Sequence, residues 1–463
     1  MAAPPRAELV ALDAEARAAA RAPLAFDARS PALPAWPASR RPIAISVADP
    51  ALLAEAYFHA LGTGNCPLLV NPLLPLERRR LLARKAGALA LIADGSQVEL
   101  LEADGPGLPA VGHLLSTSGT TGEHPRIFFF DERVARENAR AHLFSLGAGG
   151  GERALLPMSM SHGFGLVAGA LGCAGSGSAL FAFRATPDPA SLLAALQAHG
   201  ITLAYLTPPL ARMLLRRCRR HAPPPLPDLR RVSIGSATIS RGELRELMAF
   251  FPGVRFFFTY GLTELGPRVT TFAAGTDEEP AAALGVEPNR SVPVGLPLAG
   301  VGIEVRDTDA TGAGALFVRS PFASAGRWDA GRLAPFEGGA VATHDAARLL
   351  ADGTLEVLGR TDGTVVMGGS NIYPGDVEGV ADAVDGIAAS CLVGRPSPVY
   401  GEVPVLVCEV AGDAEAALGA LRQRLSRELP ATSMPVEIRV VPSLPRTALG
   451  KVQRAWVRAL VAA

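Results

Sequence analysis

With 463 residues, 49% hydrophobic and 19% charged, the chain has a globular composition with ample core, enough for about three average domains or for one large and one small. Lysine plus arginine number 44 and aspartate plus glutamate number 44, so no net field recruits nucleic acid or an anionic membrane surface, and neither is expected as a partner. The one dense basic cluster, Arg216, Arg217, Arg219 and Arg220, reads as a solvated helix end.

In chain order, Met1 to Arg21 carries prolines and charges without an apolar h-region, so no export signal is expected. Ala51 to Leu61 reads as a helix, Pro67 to Val70 as a strand, Leu76 to Ala86 as an amphipathic helix and Ala88 to Ala93 as a strand. Leu114 and Leu115, then Ile127 to Phe130, read as two short buried strands joined as a hairpin by the hydroxyl- and glycine-rich run Ser116 to Arg126. Phe164 to Phe183 is free of charge over about a bilayer-spanning length. Gly172, Gly175, Ser176, Gly177 and Ser178 interrupt it, which favours a buried helix, a turn and a core strand over a membrane span.

Helical and strand-like segments then alternate: Ser191 to His199, Ile201 to Leu206, Leu210 to Arg219, Val232 to Ile234, Gly242 to Phe251 and Val254 to Phe258. This alternation predicts an α/β layered architecture. From Pro293 to Val357 short apolar runs separated by Gly, Asp and Pro predict a β-rich subdomain. A glycine-rich turn follows Arg360, and a compact α+β pattern runs to the end. The division is therefore placed near Arg360 to Gly363, with residues 1–360 as the core and 361–463 as a small mobile lid. Cys66, Cys173, Cys218, Cys391 and Cys408 lack CxxC spacing, which argues for a reduced, cytoplasmic setting with neither zinc site nor disulfide framework.

Four constellations carry chemistry. Thr117, Ser118, Gly119, Thr120, Thr121 and Gly122, with Arg126 at the end of the run, combine exposed amides, hydroxyl donors and a cation, which polyphosphate oxygens need. A plain surface turn has the same composition, and no Gly-Lys-Ser/Thr follows to make a Walker loop. Tyr260, Gly261, Thr263 and Glu264 follow the apolar run Phe256 to Phe258 at a strand end, where an α/β sheet places its ligands. An aromatic face can stack on a purine, a hydroxyl can donate to phosphate and a lone carboxylate can hold Mg²⁺. The third is Arg360-Thr361-Asp362-Gly363 with Met367 to Pro374 and Glu378, and the fourth is Pro445 to Arg454, where a Gly-containing turn carries Lys451. A lysine so placed can swing into a distant site, although a solvated surface lysine has the same local pattern.

Taken in order with Thr343-His344-Asp345, these segments resemble the core signatures of the adenylate-forming superfamily of acyl-CoA synthetases, peptide-synthetase adenylation domains and luciferases. The resemblance runs from about Leu52 to the C-terminus. It implies a large N-terminal domain and a small mobile C-terminal one. It also implies activation of a small-molecule carboxylic acid by ATP and Mg²⁺ to an acyl-adenylate, then transfer to the thiol of CoA or a carrier-protein phosphopantetheine. By the same resemblance Thr117 to Gly122 hold the β- and γ-phosphates, Tyr260 stacks on adenine, Thr263 contacts the α-phosphate and Glu264 holds Mg²⁺. Asp345 binds ribose, Arg360 reaches ribose or phosphate, Asp362 is the hinge and Lys451 is the adenylation lysine. Gly368 and Gly369 line the thiol tunnel after lid rotation.

The chain departs from the pattern in Pro125-Arg126 for Pro-Lys, in Thr-His-Asp for Thr-Gly-Asp and in a short stretch before the phosphate loop. His162 and Phe164 on one wall and Gly235, Ser236 and Ala237 on another are implied to line the acyl pocket. No aspartate stands near the first segment to pair with a substrate ammonium, which disfavours an amino acid. The histidine and phenylalanines suit an aryl or aryl-propenoic acid, and a medium-chain fatty acid fits the same lining. An amine acceptor and a non-catalytic acyl or nucleotide sensor are the other readings, and a homodimer is compatible with all of them.

Overall fold

The computed structural model describes residues 9–12, 38–93, 97–102, 106–116, 126–236, 239–274, 291–329, 331–336, 339–367, 370–397, 400–429, 433–447 and 450–462. Two eight-stranded sheets, a four-stranded antiparallel sheet and a five-stranded sheet near the C-terminus make up the architecture.

The first large sheet has five parallel strands at its centre, Ala179–Phe183, Arg153–Leu156, Leu203–Leu206, Arg231–Gly235 and Arg255–Tyr260. Antiparallel strands flank them: Leu9–Leu12 on one side, Thr270–Ala274 and Leu296–Pro297 on the other. Period-two alternation divides its side chains between two layers. Val232, Ile234, Phe256 and Phe258 pack against the helices Pro189–Ala198, Pro208–Arg220 and Arg241–Phe250. Leu203, Tyr205 and Phe257 face the opposite layer, where Phe164–Leu171 and the helix Glu132–Ser145 lie.

The helices begin where their caps dictate. Asp188 accepts from the Ala190 and Ser191 amides with Pro189 at the first helical position, and Ser240 with Glu243 forms a capping box. The charge-free stretch does fold as a buried helix, a turn and a core strand. Its first turns are a π-helix, Phe164–Leu171, followed by one α-turn, Gly172–Ser176, that ends at left-handed Gly177. The wider π-turn is a feature that apolar periodicity does not reveal.

The second large sheet runs in the order Arg332–Ala334, Gly326–Asp329, Ile127–Asp131, Gly112–Ser116, Cys66–Leu69, Pro42–Ile45, Ala90–Ala93 and Gln97–Leu100. Gly112–Ser116 and Ile127–Asp131 pair antiparallel with Ser116 opposite Ile127, so the two strands form the expected hairpin. The β-rich stretch needs one correction. Gly302–Arg306, Ala313–Arg319, Val341–Leu349 and Leu355–Arg360 form one antiparallel sheet. The hairpin Gly326–Asp329 and Arg332–Ala334 leaves that sheet and extends the second large sheet against Ile127–Asp131. Trp328 explains the departure: its ring is buried in the core beneath the helix Leu76–Ala86, and its indole N–H donates to the Ala86 carbonyl at 2.9 Å.

Beyond Arg360 a 3₁₀ turn, Thr361–Gly363, leads into the C-terminal sheet, where Ile387–Ser397 and Gly401–Val410 pair along their whole length. The helices Pro374–Asp382, Ala414–Glu428 and Arg454–Ala462 cover it through two apolar clusters. All five cysteines are buried, and none of them forms a disulfide. Among the described residues no helix is long and apolar enough to cross a membrane.

The parallel sheet delivers Tyr260 to its carboxyl edge, and the chain then turns within two residues. Gly261 makes that turn fit, because a Cβ there would lie 2.0 Å from the Pro267 carbonyl oxygen. Overpacking of backbone on backbone costs about 1–3 kcal/mol, so Gly261→Ala is expected to lower Tm by about 3–8 °C in a thermal melt. An unchanged Tm would show that the turn has slack.

Candidate active site

The Tyr260 hydroxyl donates to Asp345 Oδ2, which fixes the ring at the sheet edge. Asp345 is buried on the strand Val341–Leu349, opposite Arg360 in the antiparallel register. The Arg360 guanidinium lies 3.8 Å from Asp345 Oδ1 and donates to the Thr343 carbonyl at 3.1 Å. Thr343 is buried too, and its hydroxyl accepts from the Asp345 amide at 3.1 Å while donating to the Leu316 carbonyl at 3.0 Å. Burial, then the charge of Asp345, push the Tyr260 phenol well above its ordinary value, so it stays a neutral donor.

His344 adopts a left-handed backbone, φ +58°, at the position where the resembled pattern has glycine. Its carbonyl accepts from the Thr361 hydroxyl at 3.1 Å, which ties the strand to the turn that begins the C-terminal segment.

Thr263 and Glu264 open a 3₁₀ turn directly after Tyr260, both half-buried. The Glu264 backbone carbonyl accepts from the Ser324 amide at 2.9 Å. Its carboxylate makes no hydrogen bond or ion pair with any described residue, so both oxygens remain available to a hard cation.

Lys451 comes from the far end of the chain. Its turn is closed by Thr447 N–H to Lys451 O at 2.7 Å, Gly450 N–H to Thr447 O at 2.8 Å and the Arg446 guanidinium to Gly450 O at 3.1 Å. Gly450 packs against Pro209, with an ideal Cβ position 3.6 Å from Pro209 Cγ, so the turn sits on the N-terminal end of the helix Pro208–Arg220. Two more contacts hold the C-terminal segment there: Arg212 lies 4.0 Å from Asp382, and Arg216 donates to the Ala388 carbonyl at 3.2 Å. Lys451 remains open to solvent by surface area yet stands among many protein atoms. Its amine is acted on by Asp345, Arg360 and Arg268, which places it at the cleft those residues border. Its pKa is lowered first by that crowding; Arg268 and Arg360 lower it further and Asp345 opposes them. His162 is pushed down to about 4 by burial and then by the charge of Lys451, which brings this half-buried imidazole into the same cleft in neutral form.

Tyr260, Thr263, Glu264, Asp345, Arg360, Lys451 and His162 thus converge on one cleft, with Phe164 and Gly235 behind it. Thr117 to Gly122, Ala237, Gly368 and Gly369 lie outside the described residues, as does the side chain of Asp362. Arg126 is exposed at the start of the Ile127–Asp131 strand, and Ser236 is exposed with φ +75°. Arg268, buried beside Phe164, was missed by sequence reasoning; its only sequence signal is a cation four residues after Glu264.

Comparison with known proteins identifies the family. A family model described as AMP-binding enzyme matches residues 109–328, and one described as the AMP-binding enzyme C-terminal domain matches residues 376–451. The chain belongs to the adenylate-forming superfamily. Within it the chain is acyl- and aryl-CoA synthetase-like, an AMP-forming acid–thiol ligase by class. A 2-succinylbenzoate–CoA ligase of Lactococcus lactis is 27% identical over 74% of this chain and 69% of its own. A salicyl-AMP ligase/salicyl-S-ArCP synthetase of Mycobacterium tuberculosis is 29% identical over 77% of this chain and 62% of its own. The solved o-succinylbenzoate CoA synthetase of Bacillus subtilis, bound to its acyl-adenylate, superposes with a TM-score of 0.76 at 22% identity, covering 96% of this chain and 91% of that one.

A non-glycine residue in the left-handed region costs about 1–2 kcal/mol, and the extra freedom of unfolded glycine returns about 0.5–1 kcal/mol of that. His344→Gly is therefore expected to raise Tm by about 1–3 °C. A lower Tm would mean that the imidazole contributes contacts outweighing the backbone strain.

Proposed function

We propose that this protein uses ATP to activate an aryl or aryl-propenoic acid as its acyl-adenylate and passes the acyl group to the thiol of CoA or of carrier-protein phosphopantetheine. The observation that carries the proposal is the arrival of Lys451 at the cleft formed by Tyr260, Asp345 and Arg360. A stacking ring, a carboxylate suited to ribose hydroxyls and two cations match a nucleotide's three parts. The match to aryl-acid relatives and the flat apolar wall at Phe164 support the substrate class.

In the first half-reaction a carboxylate oxygen attacks the α-phosphorus, the new O–P bond forms and the bond to pyrophosphate breaks. Charge accumulates on the phosphoryl oxygens, where Lys451, Arg360 and the Thr263 hydroxyl would stabilise it. Tyr260 and Asp345 hold the adenosine, and neutral His162 borders the attacking acid as an uncharged hydrogen-bonding group. Glu264 would hold Mg²⁺, which neutralises phosphate charge when bound. In the second half-reaction the thiol sulfur attacks the acyl carbon, the C–S bond forms and AMP leaves; the thiol proton passes to solvent or the departing phosphate. Rotation about the Thr361–Gly363 turn would withdraw Lys451 and open the cleft to the thiol arm.

Two outcomes follow. Lys451→Ala should lower acid-dependent pyrophosphate exchange by about 10²-fold or more while sparing thiol transfer from a supplied acyl-adenylate; equal loss of both half-reactions would contradict the division of labour. In the free enzyme Lys451 loses its proton below the 10.5 of an ordinary lysine. The kcat/KM for adenylate formation should therefore fall with rising pH before 10.5, and Lys451→Arg should move that limb upward. A limb unmoved by the substitution would assign it to another group.

A further inference from the structure

Arg268 is 3% exposed and its Nη1 donates to the Thr259 hydroxyl. Its main chain is locked to Asn138, whose side-chain amide donates to the Arg268 carbonyl at 2.7 Å and accepts from its amide at 3.2 Å. The guanidinium carbon lies 4.3 Å from the Phe164 ring centroid. A Cβ on Gly235 would come within 3.0 Å of Nη1, so the glycine leaves room for the cation. Both flanking residues, Phe164 and Gly235, are ones that the family resemblance assigns to the walls of the acyl pocket.

This cation lacks what buried arginines need. Its Nε has no hydrogen-bond partner, and no carboxylate among the described residues pairs with it. Burial brings its pKa down to about 9, which leaves it charged at neutral pH. The neighbourhood repeats the pattern. Both ring nitrogens of buried His142 and the hydroxyl of buried Ser233 are without hydrogen-bond partners. Tyr205, whose ring lies 6.1 Å from His142 and 5.8 Å edge-on to Phe164, already donates its hydroxyl to the Ala168 carbonyl at 2.9 Å. Cation–π contact and one hydroxyl do not replace the hydration of a guanidinium, and a cluster of unpartnered polar groups around a buried cation signals an absent anion.

We propose that Arg268 receives a second carboxylate on the acid that this protein activates, with Ser233 and His142 beside it, so that the substrates are aryl dicarboxylates with one acid group activated and the other buried. The assignment rests on the acid-activating function proposed above. Placement separates the two acid groups. Lys451, Arg360 and Thr263 serve the reacting carboxyl at the mouth, whereas Arg268 lies inward against Phe164, Tyr205 and His142. A charge-assisted pair in a desolvated site discriminates strongly against an analogue lacking the anion.

The test compares matched acids in pyrophosphate exchange: benzoate with phthalate and isophthalate, and 3-phenylpropanoate with 3-(2-carboxyphenyl)propanoate. At least one dicarboxylate should exceed its monocarboxylate partner in kcat/KM by about 10²-fold or more. Arg268→Met should collapse that ratio to within about 3-fold whatever the absolute rate, and Arg268→Lys should lower it at least about 10-fold, with circular dichroism reporting whether each variant is folded. Should Arg268→Met fail to fold, the wild-type ratio and Arg268→Lys decide the matter. Wild-type rates that ignore or disfavour the second carboxylate in every pair, or a ratio unmoved in folded variants, overturn the role of Arg268 alone. Exchange with no acid in either set overturns acid activation and this assignment with it.

Discussion

The organising constraint is a concentration of positive charge around Lys451, with Asp345 as the acid that acts against it there. Arg268 and Arg360 both act on Lys451, and Asp345 opposes them there. Asp345 is also engaged by the Tyr260 hydroxyl and the Arg360 guanidinium, so its one negative charge is shared among several partners. A cleft built this way is incomplete until an anion enters, and a triphosphate supplies several negative charges at once. The C-terminal segment meets the core through a 4.0 Å Arg212–Asp382 approach, a bond from Arg216 to the Ala388 carbonyl, a bond from the Tyr373 hydroxyl to Asp309 at 3.2 Å and a small apolar contact of Tyr373 with Ala313, Ala346 and Leu358. Exposed or half-exposed pairs of this kind contribute on the order of 1 kcal/mol or less. The position of Lys451 is then governed chiefly by the charge it meets, which allows one ligand to draw the lid in and its departure to release it.

The scaffold supplies the opposite property. Tyr260 ends a strand that is buried on both faces and flanked by Arg231–Gly235 and Thr270–Ala274, and Asp345 and Arg360 face each other across two strands of an antiparallel sheet. These groups cannot drift apart without breaking ladder hydrogen bonds. Rigid placement of the nucleoside-facing groups together with a lightly held lysine turn separates binding from commitment: the first set can hold a nucleotide while the second comes and goes.

Much of this was legible in the residues because it follows from local rules. Periodicity located the helix Leu76–Ala86 to the residue, and the apolar runs around Ser116 and Ile127 announced a hairpin that the register confirms. The convergence of Lys451 on the cleft was readable only through a family pattern, since nothing local in Thr447 to Lys451 says where the turn will dock. Arg268 was invisible for a related reason. Its partners Asn138, Phe164 and Gly235 are distant in the chain, and an arginine near a motif gives no hint that it will be buried without an acid. The Gly326–Ala334 hairpin was misassigned to the β-rich subdomain because strand patterning specifies faces and not which sheet a strand will join; Trp328 settled that by its fit beneath the helix Leu76–Ala86. The π-turn in Phe164–Leu171 leaves no periodic mark in eight apolar or small residues.

A crystal structure grown with ATP would test the central claim most directly. The account predicts adenine beside the Tyr260 ring, ribose at Asp345 and Arg360, and the Lys451 amine within about 3 Å of a nucleotide oxygen. A nucleotide bound away from Tyr260 and Asp345, or a lysine turn that never approaches it while the lid is closed on Pro209, would contradict the account.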